Sequence, residues 1–95
     1  MIKIIIERRI MPGLEAEYEQ AAREAMRQVL GAPGFGGGES LVEMGHEDRR
    51  LMITTWRDLR AWKEWRDSEQ RQRTMQNIYP LLTEEERIRI YQIDY

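Results

Sequence analysis

The chain has 95 residues, of which 41% are hydrophobic and 34% are charged, and it contains no cysteine. This length predicts a single domain over residues 1–95 with a thin hydrophobic core. The missing cysteine excludes disulfides, thiolate metal sites and a cysteine nucleophile, and the formal net charge of −2 offers no basic excess for nucleic acid. No apolar run reaches the length of a membrane span or a signal peptide, so a cytoplasmic protein without a membrane partner is expected.

The first half of the chain predicts a strand, a helix and a β-hairpin. Residues 2–10 are rich in β-branched side chains, and their even positions are apolar except for Arg8. Residues 14–30 repeat apolar side chains at steps of three and four, which is typical of an amphipathic helix. After a glycine cluster, residues 39–45 and 49–56 predict two short strands joined by a polar linker.

The second half predicts two helical segments, a short turn and a last strand. Asp58 is a candidate N-cap for the first segment, and Ser68 is a second candidate cap at which the helix can break and restart. Pro80 is expected to end the second segment. Residues 83–86 fit a capping box for a short helical turn, and residues 87–95 alternate apolar side chains as a strand does.

The predicted element order is β-α-β-β-α-β. This order indicates an α+β, ferredoxin-like fold, in which a four-stranded antiparallel sheet carries helices on one face. The third strand presents Leu51 and Ile53 on one side and Met52 and Trp56 on the other, so both sheet faces are partly apolar. Because the helices cover only one face, a homodimer that packs sheet against sheet is expected.

Several short motifs together resemble one protein family. They are Pro12-Gly13 after the first strand, Pro33-Gly34-Phe35 before the second, and a Trp-x5-Trp-x2-Trp run that starts at Trp56 and is followed by Ser68. Their combination resembles the antibiotic biosynthesis monooxygenase (ABM-like) family over almost the whole chain. The resemblance implies ferredoxin-like protomers that pair into a dimeric α+β barrel.

The activities that the resemblance implies are broad. Some members oxidise anthrones or quinols without metal or flavin, others bind and degrade haem, and many have no known activity. In the cofactor-free reaction the protein deprotonates a phenol or enol, and the anion reacts with dioxygen in a dry pocket. We therefore expect a monooxygenase with no cofactor that acts on a small electron-rich aromatic. The alternative is a non-catalytic ligand-binding or sensing module on the same scaffold.

A small planar aromatic ligand is expected between the sheet and the helices. By the resemblance, Trp65 matches a tryptophan that lines the pocket in both haem-degrading and anthrone-oxidising members, although aromatic side chains at helical spacing are more often core. The predicted pocket residues are Trp65, Trp62, Ile6, Met75 and Tyr79. No catalytic residue is assigned, because the candidate general bases are chosen by chemistry alone. These candidates are Tyr79, Tyr91 and His46.

Neither haem nor a metal ion is expected. By the resemblance, haem degraders carry an asparagine on the first strand and a histidine on the helix after the pocket tryptophan. This chain has Ile6 at the first place and about Thr74 at the second, so iron lacks an obvious ligand. The only histidine, His46, lies in a hairpin turn without convergent ligands, which excludes a metal site there.

Two further hypotheses concern charged ligands. An arginine that faces the pocket would hold an enolate or a carboxylate, although surface and ion-pair roles are more common for arginine. The candidates are Arg8, Arg66, Arg71 and Arg73. An RNA-recognition module shares the strand order but requires aromatic side chains on the first and third strands, and the first strand has none. Nucleic acid is therefore not an expected partner.

Overall fold

The computed structural model describes residues 1–95, and its centre is a four-stranded antiparallel sheet with helices on one face. In chain order the elements are β1 (Ile2–Arg9), α1 (Glu15–Val29), β2 (Phe35–Glu43), β3 (His46–Trp56), α2 (Leu59–Arg66), α3 (Glu69–Met75), a 3-10 turn (Tyr79–Leu81) and β4 (Arg87–Gln92). The strand order is β2-β3-β1-β4. The predicted ferredoxin-like α+β fold is confirmed. None of the helices is both long and apolar enough to cross a membrane.

The alternation of side chains along β1 and β3 decides which face the helices cover. Ile4 and Ile6 of β1 stand opposite Thr54 and Met52 of β3, and all four are buried. They share a side because every second residue of a strand points the same way. The stripe of α1 that packs against this face consists of Tyr18, Ala22 and Val29. The apolar even-numbered face that the sequence predicts for β1 is therefore the core face.

The second strand begins earlier than the sequence predicts. β2 starts at Phe35 rather than at residue 39, because the glycine cluster belongs to the strand and is not a linker before it. A Cβ atom at Gly38 would lie 3.0 Å from a backbone carbonyl oxygen of β3, so glycine allows this close approach of the strands. The hairpin turn is correspondingly short: β3 starts at His46, directly after Gly45, which has a φ of 82°.

Both predicted helix caps are present. The Asp58 carboxylate accepts a hydrogen bond from the Ala61 N–H at 2.9 Å at the start of α2. The Ser68 hydroxyl accepts one from the Arg71 N–H at 3.1 Å at the start of α3. Each cap satisfies a backbone donor that has no partner within the first helical turn. The predicted break between the two helical segments is therefore real.

The segment between α3 and β4 differs from the prediction in two ways. Pro80 does not end the helix, which stops at Met75, but lies within the 3-10 turn. Residues 83–86 form no helical turn, because the Glu86 side chain binds buried arginines instead of capping a helix. β4 also ends at Gln92 rather than at the last residue.

The second face of the sheet, here called the open face, carries no helix. Ile5 of β1 stands opposite Ile53 of β3, and Leu41 of β2 stands opposite Leu51 of β3. None of these four apolar side chains is buried within the chain. Tyr91 of β4 is 49% exposed on the same face. The partly apolar second face that the sequence predicts is thus uncovered in the single chain.

Candidate functional site

A cavity of about 40 Å³ lies between the sheet and the three helices. Four of the five predicted pocket residues line it, namely Ile6, Trp62, Trp65 and Met75. The fifth, Tyr79, is 49% exposed in the 3-10 turn and lies outside the cavity. The structure therefore brings together the residues predicted on β1, α2 and α3. That they bind a ligand stays a prediction.

Three tryptophans, Trp56, Trp62 and Trp65, line the cavity and are here called the tryptophan wall. The rings of Trp56 and Trp62 meet edge to face with centroids 5.8 Å apart. The Trp56 indole N–H donates to the Thr54 hydroxyl at 3.0 Å, which fixes its ring. Trp65 pairs with no aromatic ring of the chain. It is also the most exposed of the three, at 8% compared with 0% for Trp56 and 2% for Trp62.

The cavity is too small, as it stands, for an aromatic ring. An apolar cavity that holds benzene measures about 150 Å³, compared with about 40 Å³ here. Half-buried Met26 and Thr74 line it where α1 and α3 approach the surface. Met26 and Met75 are unbranched and flexible, so they can change rotamer and widen the cavity without a backbone movement.

A buried cluster of charged side chains, Arg8, Arg71 and Glu86, forms the polar end of the cavity. The two arginines line the cavity and bind the same carboxylate. The Arg8 Nε donates to one Glu86 oxygen at 2.9 Å, and the Arg71 Nη2 donates to the other at 3.0 Å. Arg8 also donates to the Tyr18 hydroxyl at 3.1 Å and contacts the Met75 sulfur at 3.8 Å. Every side-chain nitrogen of Arg8 is therefore engaged.

The charges in this cluster do not cancel, because two cations share one anion. Burial raises the pKa of the Glu86 carboxyl group, but the charges and hydrogen bonds of Arg8 and Arg71 outweigh burial and hold that pKa below its usual value. Burial lowers the pKa of Arg8, while Tyr18 and Glu86 raise it by more. Glu86 is therefore an ionised counterion and a poor proton acceptor at neutral pH.

Sequence reasoning missed Glu86. Arg8 interrupts the apolar face of β1, and a buried cation requires a counterion, so the signal for a partner was present. The partner lies 78 residues away, however, and the local pattern that singles out Glu86, the capping box at residues 83–86, predicts a different role for it. Among the other arginine candidates, Arg66 pairs with the neighbouring aspartate at the surface and Arg73 is exposed.

The cavity is lined by neither a general base nor an imidazole, thiolate or phenolate that could hold haem iron. Of the candidate bases, Tyr79 lies in the 3-10 turn, Tyr91 lies on the open face, and His46 follows the hairpin turn. No group of three or more histidine, aspartate or glutamate side chains is placed to hold a metal ion. Ile6 and Thr74 both line the cavity, which offers iron no imidazole, thiolate or phenolate. The residues present do not fit haem.

Comparison with known protein families identifies the family to which the chain belongs. The sequence profile of the antibiotic biosynthesis monooxygenase family matches residues 1–77. The chain belongs to this family. The matched segment contains every residue that lines the cavity and ends before Glu86. A sequence comparison with curated proteins gives no match. The family resemblance stated from the sequence is therefore confirmed.

Solved structures of antibiotic biosynthesis monooxygenases share the whole fold. A candidate member from Nitrosomonas europaea matches with a TM-score of 0.91 and 14% identity over 100% of both chains. A variant of SnoaB, a cofactor-independent oxygenase from Streptomyces nogalater, matches with a TM-score of 0.90 and 16% identity, covering 99% of this chain and 93% of that chain. A candidate member from Bordetella bronchiseptica matches with a TM-score of 0.90 and 19% identity, covering 99% and 97%. At these identities the likeness establishes the fold alone.

Proposed function

We propose that this family member is a monooxygenase that uses neither metal nor flavin and oxidises a small electron-rich aromatic, such as a quinol or an anthrone. The observation that carries the proposal is the cavity, in which the tryptophan wall meets a single cationic end. A flat apolar wall suits a planar ring, and a cationic end suits an oxygen substituent. Family membership and the fold shared with a cofactor-independent oxygenase support the same reaction.

The substrate supplies all the electrons of this reaction. For an anthrone, loss of a proton gives an enolate, which transfers one electron to dioxygen, and the resulting radical pair recombines to form a C–O bond. The peroxide is protonated, its O–O bond breaks, and the same carbon loses its remaining hydrogen as a proton. One oxygen atom stays as the new carbonyl and the other leaves as water with two hydrogens. The chain has to bind the anion and exclude competing water.

The positive charge at the cationic end of the cavity promotes loss of the substrate proton, which in other enzymes is the task of a general base. No carboxylate, imidazole or phenol lines the cavity, whereas Arg8 and Arg71 do. A nearby positive charge favours the ionised form of an acidic hydroxyl and so lowers its pKa. The proposed substrate is therefore a compound that ionises readily, with its proton lost to water as it binds.

The small volume of the cavity favours the smaller of the proposed substrates. A cavity of about 40 Å³ must widen for any ring, and displacement of Met26 and Met75 side chains supplies limited space. One-ring quinols therefore come before three-ring anthrones in the order of testing.

Oxygen consumption tests the proposal. Protein treated with chelator and freed of flavin is mixed with a panel of quinols and anthrones in an oxygen electrode, and products are analysed after reaction with isotopically labelled dioxygen. We expect saturable uptake and one labelled oxygen atom per product. Trp65→Ala should lose the uptake, whereas Tyr95→Ala, which removes a fully exposed aromatic outside the cavity, should retain it. Uptake no faster than the spontaneous rate for every compound, with intact circular dichroism, would contradict the proposal.

A non-catalytic ligand-binding role is the second candidate, and one observation favours it. No side chain that lines the cavity can act as a general base. Saturable binding of planar aromatics to the wild-type protein, lost in Trp65→Ala and accompanied by no oxygen uptake with any compound, would select this role over the oxygenase.

We further propose that two chains pair through their open faces. Across this face one row of side chains runs Glu39, Ile53, Ile5, Arg89, with an apolar centre and opposite charges at its two ends. A two-fold axis parallel to the strands would bring the isoleucines together and set Glu39 against Arg89 of the partner subunit. Light scattering should report twice the chain mass of 11.4 kDa.

Matched charge substitutions test this pairing. Ile53→Glu should yield monomers because it buries a charge in the apolar centre of the row. Lys63→Glu, on the exposed side of α2, should leave the dimer intact. A wild-type protein that stays folded and monomeric at micromolar concentration would remove the sheet-to-sheet dimer.

A further inference from the structure

Arg71 is a buried cation with unused hydrogen-bond donors. Its side chain is 9% exposed, its Nη2 binds Glu86, and its guanidinium lies 5.6 Å from the centre of the Trp62 ring. Its Nε and Nη1 donate to no atom of the chain. Neither nitrogen is sealed from solvent, because the one sealed side-chain nitrogen without a partner is Nε of Arg49. Arg71 itself lines the cavity. Buried donors of this kind require an oxygen acceptor, which is either water or a ligand.

Arg8 provides the internal comparison. It lines the same cavity and binds the same carboxylate, but its three side-chain nitrogens are occupied by Glu86, Tyr18 and Met75. Arg8 therefore has no side-chain nitrogen without a partner, whereas Arg71 has two. Because Glu86 neutralises only one of the two cations, the uncompensated positive charge is available on Arg71, beside the tryptophan wall.

We propose that Arg71 is the anion-binding residue of the cavity and that the ligand binds as an aryl oxyanion, with its oxygen on Nε or Nη1 of Arg71 and its ring against the tryptophan wall. Glu86 is a positioning residue, because it holds Nη2 and so leaves the other two nitrogens for the ligand. The location of the ring rests on the proposed function. The anionic state of the ligand also rests on the proposed function, and the assignment of its recognition to Arg71 rather than Arg8 goes beyond it.

Two probes of the same shape, one anionic and one neutral, test this assignment. 4-Nitrophenolate carries an anionic oxygen where 4-nitroaniline carries a neutral amino group, and neither requires turnover for detection. Dissociation constants are measured by calorimetry at a pH above the pKa of the phenol. The wild-type protein should bind 4-nitrophenolate at least about tenfold more tightly than 4-nitroaniline, as expected for a charge-assisted hydrogen bond. Arg71→Gln should remove the preference, whereas Arg73→Gln, an exposed arginine on the same helix, should retain it.

A second measurement needs no variant and keeps the test decisive if Arg71→Gln does not fold. In a nitrogen-15 spectrum of the wild-type protein, the Nε–H or the Nη–H resonances of Arg71 should shift with 4-nitrophenolate and stay in place with 4-nitroaniline. Equal affinities for the two probes, a preference that survives Arg71→Gln, or Nε–H and Nη–H resonances of Arg71 that all stay in place with 4-nitrophenolate would overturn the proposal.

The outcomes also separate this inference from the proposed reaction. Tight phenolate binding through Arg71 without oxygen uptake from any substrate would remove the oxygenase and keep the anion site. Binding of 4-nitroaniline that equals binding of 4-nitrophenolate would remove the anion site and keep the aromatic cavity.

Discussion

Replacing Trp65 with alanine should weaken ligand binding more than it weakens the fold. Truncating a buried tryptophan costs about 3–5 kcal/mol of unfolding free energy. Trp65 faces the cavity and has no aromatic partner, so fewer contacts are lost and about 3 kcal/mol is expected. Trp62 is 2% exposed, packs against Trp56 and lies beneath the Arg71 guanidinium. Its aromatic pair and cation–π contact add about 1–3 kcal/mol, so Trp62→Ala should cost about 5 kcal/mol or more.

The comparison of these two variants requires stability and binding on the same samples. Urea unfolding is followed by circular dichroism at one protein concentration, since an associating protein gains stability with concentration. Binding of 4-nitroaniline to the folded protein is measured by calorimetry. Trp65→Ala should remain folded, because a domain of this size has about 5–15 kcal/mol of stability, and should lose most of its probe affinity.

The reasoning would be refuted by the opposite pattern. If Trp65→Ala destabilised the protein as much as Trp62→Ala and left probe binding unchanged in the folded fraction, Trp65 would be ordinary core. The aromatic wall would then have no role in ligand binding.

Three further predictions follow from individual contacts. The pKa of Glu86 is held below its usual value, so its ion pairs stabilise the fold fully at any pH above that usual pKa. This stabilisation is lost as the pH falls through the lowered pKa. Urea melts between about pH 6 and pH 3 should therefore show a steeper loss for the wild type than for Glu86→Gln, and parallel curves would contradict the ion pair. Gly34→Ala should destabilise the protein more than Gly13→Ala. Both glycines have φ near 85–87°, but a Cβ at Gly34 would collide with the Cβ of Ala61, whereas a Cβ at Gly13 meets nothing within 4 Å. Equal losses of stability in urea unfolding would mean that only backbone strain matters. Haemin titration should give no saturable Soret shift, because the cavity offers iron no imidazole, thiolate or phenolate, and a ligand-specific shift would show that reasoning wrong.

Most of the fold could be predicted from local patterns in the sequence. The alternation along residues 2–10, the three-and-four spacing of α1 and the caps at Asp58 and Ser68 each describe interactions within a few residues, so the sequence alone reveals them. The glycine cluster was misassigned for a long-range reason. Glycine is disfavoured within strands, which places the cluster before the strand, and only the close approach of β3 explains why the strand contains it.

The candidate site was predictable only in its apolar part. Trp62 and Trp65 lie on one helix and their shared direction follows from helical spacing, whereas Tyr79 was extrapolated along a helix that in fact ends at Met75. The charged end depends on a contact between β1 and the segment before β4. The capping-box pattern at residues 83–86 predicts that Glu86 caps a helical turn. Its carboxylate instead binds Arg8 and Arg71, because these two buried arginines need a counterion.

The central claim is that a planar aromatic binds inside the cavity between the helices and the sheet. The most direct test is an anaerobic titration of nitrogen-15-labelled protein with hydroquinone, observed by two-dimensional NMR. The three tryptophans give three indole N–H signals, and we predict saturable shifts at Trp62 and Trp65 together with backbone shifts at Met26 and Met75. Shifts confined to the open face, or no shift at any concentration of hydroquinone, would contradict the account.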